Sequence, residues 1–178
     1  MLIDHYLSTP HFSERHDIIV KASARKVYEA AWQVDFADSF AVRWLLRLRG
    51  MPTSNFSLAA VERSIFKKLE EDPGREVVLG LIGRFWTLFG DLRPIRTPEA
   101  FQSFEEAGYA KAVWNFSVTD EGEFSRLTTE TRVRCLDDES RRSFGFYWTI
   151  IKPFSGAIRT EILKAVKQRA ELSPARAS

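Results

Sequence analysis

The sequence predicts an α+β fold with a curved antiparallel β-sheet, two short helices after the first strand, and a long, proline-kinked C-terminal helix. Two patterns lead to this prediction. Residues 126–135 alternate between apolar and charged side chains, as in a strand with one buried face. Apolar residues over 144–166 recur instead at helical spacing. The 178 residues suit one domain, so we expect an arm over 1–15, a domain over 16–172 and a tail over 173–178.

The composition predicts a reduced, cytoplasmic protein. Its 26 basic and 24 acidic side chains nearly balance, which argues against a nucleic-acid partner. The single cysteine, Cys135, excludes an internal disulfide and a cysteine-based zinc cluster. No apolar run approaches the ~20 residues of a membrane span, and the N-terminal stretch MLIDHYLSTPHFSERH lacks the layout of a signal peptide. The sequence leaves the oligomeric state open.

The N-terminal half predicts one strand followed by two helices. The β-branched run over 16–22 indicates the strand, and Ser23 is placed to cap a helix over 24–34. A second helix is expected over 35–50. The pattern over 51–64 is weak, with a short helix as one interpretation, and the structure of 51–75 stays open although a strand is expected to begin at residue 64.

Further strands are expected to complete the sheet. Residues 64–70 and 76–89 form two of them, joined by a Pro-Gly turn. Residues 109–120 and 123–137 form a hairpin, with one face toward water and one toward the core. The predicted core face of this hairpin carries Ala112, Trp114, Phe116, Val118, Leu127, Thr129, Thr131, Val133 and Cys135.

The C-terminal region is predicted to be one bent helix. Pro153 removes a backbone hydrogen bond and crowds the preceding turn, so we expect a kink near Thr149. A straight helix of this length would measure about 50 Å, longer than a domain of this size is wide. The alternative is a strand over 143–151 and a helix that starts at Pro153, a favoured first-turn position.

This order of elements, with the segments EVVLGLIGRFW, LTTETRV and YWTIIKPFSGAIRTEILKAVKQRAE, resembles the SRPBCC or START-like helix-grip superfamily. That superfamily includes polyketide cyclase/dehydrase-like and birch-pollen-allergen-like proteins. The resemblance covers roughly residues 14–172 and implies a sheet wrapped around the long helix, with an apolar cavity between them. The aromatic residues, 14 Phe, 5 Trp and 4 Tyr, would then line a pocket.

The resemblance implies binding of a small hydrophobic or amphipathic ligand, such as a lipid, in that cavity. One alternative is a polyketide cyclase/dehydratase-like enzyme that uses the same cavity. Another is a partner-binding domain whose cavity is filled by its own aromatic side chains. The candidate cavity-lining residues are Arg84, Trp86, Trp114, Phe116, Thr129, Thr131, Phe144, Tyr147, Trp148, Ile151, Ser155 and Ile158.

Two arginines have alternative predicted positions. Arg84 points inward if it shares the inner face with Val78, Ile82 and Trp86. It lies on the surface if the inner set is instead Val77, Leu79, Leu81 and Phe85. Arg159 flanks the apolar stripe of the C-terminal helix, where it could pair with Glu130 at the surface or contact a ligand.

The sequence offers no recognisable catalytic or metal-binding motif. His5, His11 and His16 do not have the spacing of helical metal ligands, so no metal and no cofactor are predicted. There is neither a phosphate-binding glycine loop nor a nucleophile elbow. Cys135 is expected to be inert packing. The catalytic residues, if any exist, and the identity of the ligand stay open.

Overall fold

The computed structural model describes residues 1–35, 66–87 and 90–172. Within those ranges an antiparallel sheet packs against a long helix. The strands are β1 Phe12–Val20, β2 Lys67–Asp72, β3 Glu76–Gly83, β4 Leu92–Arg93, β5 Ala110–Asp120 and β6 Ser125–Cys135. Their order in the sheet is β1-β6-β5-β3-β2, with β4 paired to β3. The helices are α1 Ile3–Tyr6, α2 Ala24–Gln33, α3 Pro98–Ser103 and α4 Asp138–Leu172.

The predicted α+β fold and antiparallel sheet are confirmed. Strands β5 and β6 pair without a break from Ala110 opposite Cys135 to Asp120 opposite Ser125, as their alternating pattern indicates. Helix α2 follows Ser23 as expected, although the Ser23 side chain makes no capping hydrogen bond. The second helix expected over 35–50 lies beyond Asp35, outside the described residues.

Two of the differences between predicted and observed strand boundaries bear on the predicted site. Strand β1 begins at Phe12 rather than at residue 16, because it pairs with β6 along its whole length, from Phe12 opposite Val133 onward. Strand β3 ends at Gly83 rather than continuing to residue 89. The chain turns there, with the backbone N–H of Thr87 donating to the carbonyl of Arg84 at 2.8 Å, and returns as β4.

Helix α4 runs without interruption through Pro153, which rules out the alternative of a strand over 143–151. Asp137 caps its first turn, where the carboxylate accepts hydrogen bonds from the backbone N–H and the hydroxyl of Ser140 at 2.8 and 2.7 Å and from the backbone N–H of Gly108. These hydrogen bonds lower the pKa of Asp137 to about 2. The bend near Thr149 stays a prediction.

The inner face of the sheet packs against α2 and α4. Val27 and Ala31 of α2 and Ile162 and Val166 of α4 are buried with side chains of β3, β5 and β6 in one apolar cluster. The strand residues in this cluster include Val77, Leu79, Trp114, Phe116, Val118 and Leu127. The long helix therefore lies across the face that the alternating pattern predicts to be apolar.

The outer face of the sheet also carries a core, which the prediction of one wet face missed. Helices α1 and α3 cover part of it, and their residues are buried with strand residues in a second apolar cluster: Ile3, Leu7, Leu69, Val78, Ile82, Phe101 and Val113. Ile3 is fully buried, so the start of the chain packs on the sheet instead of forming a loose arm. The boundaries of the domain predicted over 16–172 stay a prediction. In the described part of the chain, no helix is long and apolar enough to span a membrane.

Candidate functional site

Most of the predicted cavity-lining residues lie between the inner face and α4. Trp114, Phe116, Thr129 and Phe144 are buried, and the remaining ones, apart from Arg84, are half-buried. The half-buried set is Trp86, Thr131, Tyr147, Trp148, Ile151, Ser155 and Ile158. Whether these residues bind a ligand stays a prediction.

Phe144 is the centre of an aromatic group near the start of α4. Its ring centroid lies 4.9 Å from that of Phe12, 5.6 Å from Trp148, and 5.8 Å from both Trp86 and Tyr147. Most of these contacts are edge-on or tilted, as aromatic pairs prefer. Four of these five rings are predicted site residues, and Phe12 joins them because β1 starts sooner than predicted.

A second aromatic group lies farther along the inner face and includes hydrogen-bonding groups. Trp114 contacts Phe116 at a centroid distance of 5.0 Å and Phe66 at 5.8 Å. The indole N–H of Trp114 donates to the Thr129 hydroxyl at 2.7 Å, and that hydroxyl donates to the carbonyl of Asn115 at 2.8 Å. The Thr129 hydroxyl thus holds Trp114 in place.

Arg84 lies outside this space, which corrects its prediction as a cavity residue. The alternation of β3 turns Val77 and Leu79 to the inner core and Val78 to the outer core. Arg84 follows the end of the strand and is exposed. Its Nε donates to the carbonyl of Gly108 at 2.9 Å, and its guanidinium carbon lies 4.9 Å from the Tyr109 ring centroid.

Arg159 is buried between α4 and the sheet, where the sequence suggested a surface pair with Glu130. Its side chain is 13% exposed, and its nearest carboxylate is that of Glu14, which is 8% exposed, with Nε and Oε2 separated by 3.9 Å. Its guanidinium carbon lies 5.7 Å from the ring centroid of Trp114. Glu130 points from the outer face and accepts a hydrogen bond from Arg132 instead.

Burial lowers the pKa of Arg159 to about 10, and the charge of Glu14 opposes this shift. Arg159 therefore stays cationic at neutral pH. The 3.9 Å separation exceeds the usual range of a hydrogen bond, about 2.7–3.2 Å. Both Nε and Nη1 of Arg159, and Oε2 of Glu14, are buried without a hydrogen-bond partner.

Glu14 also binds His16, which completes a polar cluster on the inner face. Glu14 Oε1 and His16 Nε2 are 2.9 Å apart. Across the sheet, Glu14 is paired with Thr131, whose hydroxyl oxygen is buried without a partner. We call the four residues Glu14, His16, Thr131 and Arg159 the inner polar cluster. A carboxylate, an imidazole, a hydroxyl and a guanidinium together can bind an oxygen-containing group and exchange a proton with it.

Gly156 lets α4 approach β1 at this cluster. A Cβ atom added there would lie 2.8 Å from Glu14 Oε1 and 3.4 Å from the imidazole carbon Cε1 of His16. A contact of 2.8 Å between a carbon and a carboxylate oxygen is sterically too close. The lack of a side chain at Gly156 therefore leaves room for Glu14 and His16 beneath the helix.

The sequence contains a signal for Glu14 and His16 that the prediction missed. Both alternate with Phe12 and Ile18, so a strand that begins at residue 12 turns all four toward the core. With the strand start placed at residue 16, Glu14 fell in the predicted arm. For Arg159 the spacing on α4 placed it only at the flank of the apolar stripe, and its buried partner was not identified.

Neither Cys135 nor His11 belongs to the inner polar cluster. Cys135 is buried, which raises its thiol pKa to about 12 and keeps the thiol protonated at neutral pH. His11 lies apart from His16, and its Nδ1 accepts a hydrogen bond from the backbone N–H of Cys135 at 3.1 Å. Among the described residues, no group of three His, Cys, Asp or Glu side chains could hold a metal ion.

No protein-family model matches the sequence, and no curated protein matches it. Several solved structures do. A conserved protein from Geobacillus kaustophilus is 10% identical, with 89% of this chain and 95% of that chain covered and a TM-score of 0.46. Truncated norcoclaurine synthase from Thalictrum flavum is 12% identical, with 91% and 94% covered and a TM-score of 0.37. The di-domain ARO/CYC BexL from the BE-7585A biosynthetic pathway is 17% identical, with 90% of this chain and 47% of that chain covered and a TM-score of 0.37.

The fold itself is defined by the described elements. An antiparallel sheet places β1 beside β6, and the 35-residue helix α4 crosses its inner face. This chain therefore has the α+β, helix-grip arrangement that its sequence predicts.

Proposed function

We propose that this protein binds a small hydrophobic or amphipathic molecule between the inner face of the sheet and α4. The aromatic groups around Phe144 and Trp114 would contact its apolar part. Burial of apolar surface stabilises such a complex by roughly 25 cal/mol per Å² removed from water, before the costs of association. The cytoplasmic location belongs to the same proposal.

One observation carries the proposal: the unsatisfied buried atoms of the described chain all lie in the inner polar cluster. They are Glu14 Oε2, Thr131 Oγ1, and Nε and Nη1 of Arg159. Buried polar atoms nearly always have partners, and each one without a partner costs about 1–3 kcal/mol. A ligand with polar groups at this position would remove that cost, whereas solid packing by side chains would not.

Native mass spectrometry of the purified protein is the direct test. We expect a bound small molecule, or, in its absence, a rise in melting temperature with 1-dodecanol or dodecanoic acid. Trp148→Ala should weaken this binding because it removes a ring from the group around Phe144. Lys164→Ala is the matched control on the same helix, since Lys164 is exposed and pairs with Glu161 at the surface.

A protein that carries no small molecule and binds neither probe would contradict the proposal. So would a crystal structure in which side chains fill the whole space between the inner face and α4. Equal effects of Trp148→Ala and Lys164→Ala would place the binding elsewhere on the surface.

A second candidate function is a cyclase or dehydratase acting on a polyketide-like substrate. The pairing of Glu14 with His16 at 2.9 Å favours it, because a carboxylate that holds an imidazole is a common arrangement for general acid–base catalysis. Arg159 would stabilise an enolate oxygen as it forms. These residues supply the proton-transfer groups that the sequence motifs lacked.

A 1,3-diketone tests this alternative, because its central C–H protons exchange through an enolate. We expect the protein to accelerate exchange of deuterium into 1-phenyl-1,3-butanedione above the buffer rate, and His16→Gln to remove the acceleration. Tight binding of the diketone with no acceleration would leave a binding protein and exclude this form of catalysis.

A further inference from the structure

We infer that Arg159 binds an anionic oxygen of the ligand, either a carboxylate or an ionised phenol or enol. The inference rests on the proposed function and narrows it to one ligand class. The ligand would combine an apolar body with one anionic head, and Arg159 would select it over neutral molecules of the same shape.

Arg159 has hydrogen-bond donors that the protein itself does not use. A guanidinium has five N–H donors directed around its edge. Nε and Nη1 are buried without partners, and Glu14 Oε2 lies 3.9 Å from Nε. Because the N–H groups of Nε and Nη1 diverge, one oxygen of Glu14 cannot satisfy both of them. At least one donor is left for another acceptor.

Arg159 also carries a positive charge at this largely buried position. Arg159 is cationic at neutral pH despite its burial, and water reaches little of its side chain. Charge-assisted hydrogen bonds between guanidinium and an oxyanion are about twice as strong as neutral ones, and a less polar surrounding strengthens them further. Arginine is also more weakly hydrated than lysine, which favours it at buried anion sites.

The other residues of the inner polar cluster, Glu14, His16 and Thr131, supply further polar groups. One oxygen of Glu14 is bound to His16, so the carboxylate is shared between that imidazole and Arg159. Thr131 lies opposite Glu14 across the β1–β6 pair and has a free hydroxyl. That hydroxyl can donate to a second oxygen of the ligand head.

Aromatic rings lie beside Arg159. Arg159 lies over the ring of Trp114, which packs against Phe116 and Phe66. An anionic head held by Arg159 would therefore continue directly into an apolar body against these rings. This combination of one buried cation and several rings fits an amphipathic acid better than an ion without an apolar part.

Titration calorimetry with dodecanoic acid and 1-dodecanol at pH 7.5 tests the inference, because the two probes differ in charge and share a chain. We expect the wild-type protein to bind dodecanoate at least about tenfold more tightly than dodecanol. Arg159→Gln should abolish that preference and leave the affinity for dodecanol within about twofold. Arg169→Gln, at an exposed position of α4, should keep the preference.

Arg159→Gln leaves Glu14 buried beside a neutral group, so it is paired with the double variant Glu14→Gln, Arg159→Gln, which buries no unpaired charge. The double variant should fold and bind dodecanol without preferring dodecanoate. Equal affinities of the wild type for both probes, or a preference that survives in the double variant, would overturn the inference and leave the proposed function intact. Failure of both probes to bind the wild type would reject the proposed function itself.

Discussion

On the outer face of the sheet, Glu76 accepts hydrogen bonds from the backbone N–H groups of Leu2 and Ile3 at 2.8 and 3.3 Å and from the side chain of Asn115 at 2.7 Å. On the inner face, one oxygen of Glu14 is bound to His16, and the other has no hydrogen-bond partner. Both carboxylates are largely buried. They differ in how completely the protein itself satisfies them.

The arginines of the two faces differ in the same way. Arg132, on the outer face, donates to Glu130 at 2.6 Å, to Asp4 at 2.7 Å and to the carbonyl of Leu7 at 2.9 Å. Arg159, on the inner face, has the long contact with Glu14 and the ring of Trp114, and its Nε and Nη1 have no hydrogen-bond partner. The outer groups thus connect the first residues of the chain to the sheet. The inner groups include buried atoms that make no hydrogen bond.

Under the proposed function, this difference separates a structural polar network from a binding one. A buried network that is fully satisfied fixes the position of its elements. An incompletely satisfied network destabilises the protein, and a bound ligand would remove that cost. Buried charge alone does not distinguish the two faces, but hydrogen-bond completeness does.

The largest expected effect is on the outer face. Glu76→Ala leaves the Asn115 side chain and the N–H of Ile3 buried without an acceptor, and we expect a loss of about 3 kcal/mol or more of unfolding free energy. A urea melt measures it, with Glu123→Ala, an exposed position, as the control within about 0.5 kcal/mol of wild type. A loss below about 1 kcal/mol would mean that the outer network contributes little to stability.

The second prediction concerns Glu14 and Arg159, whose replacement should raise the free energy of unfolding instead of lowering it. The double variant Glu14→Gln, Arg159→Met removes a poorly paired buried cation, so the ligand-free protein should gain about 1–2 kcal/mol at pH 7. The folded pKa of Arg159, about 10, is below its unfolded value. The unfolded state therefore binds more protons between the two values, and wild-type stability rises with pH in that window.

It follows that the advantage of the double variant should shrink when the urea melts are repeated at pH 10.5. Less stability at pH 7 than the wild type would show that Glu14 and Arg159 form a structural pair like those of the outer face. The comparison between the faces would then fail.

The third prediction uses two threonines of one strand and one face. Thr129→Val leaves the indole N–H of Trp114 without its acceptor and should cost about 1–2 kcal/mol. Thr131→Val replaces a buried hydroxyl that has no partner by an isosteric methyl, and should be neutral or stabilising by up to about 1 kcal/mol. Thermal melts of both variants measure the difference, and equal losses would contradict the assignment of Thr131 as unsatisfied.

The smallest expected effect on stability is that of Pro153→Ala in α4. Restoring a hydrogen bond favours the helix by up to about 3 kcal/mol. A straighter helix, however, would withdraw rings such as Phe144 from the sheet, at about 2–3 kcal/mol for one large side chain. We expect a net change near zero with weaker ligand binding. A variant that is markedly more stable, with unchanged affinity for dodecanoate, would show that the helix carries no bend that the site needs.

The extent of the fold that could be predicted follows from how each strand is buried. Strand β6 alternates clearly because its outer residues are charged or polar although only Arg134 among them is exposed, and it was predicted with its hairpin. Strand β3 is buried on both faces and is apolar after Glu76, so its sequence could not show which face Arg84 would join. The cover over the outer face comes from α1 and α3, helices of four and six residues that are too short to give a periodic signal.

The aromatic part of the candidate site could be predicted, since apolar periodicity on α4 and β5 turns those rings inward. Of the inner polar cluster, only Thr131 was predicted. The charges of Glu14 and Arg159 interrupt the apolar pattern from which the inner face is recognised, and the predicted start of β1 at residue 16 left Glu14 outside the strand. Glu14 and Arg159 come from the first strand and from the long helix, and they meet where α4 packs against β1. A sequence pattern is local and does not contain that contact.

The pairing of β1 with β6 also determines when the sheet is completed during synthesis. At about 5–20 residues per second, β1 leaves the ribosome on the order of ten seconds before β6 and α4 follow it. Glu14 and His16 lack Thr131 and Arg159 for that time, and the inner polar cluster forms only when α4 packs over the sheet. Under the proposed function, a ligand that recognises this cluster binds only chains in which the sheet and α4 are assembled, and it shifts their folding equilibrium by mass action. The amount of intact protein in a cell would then follow the supply of its ligand, because unliganded chains unfold and are degraded more often.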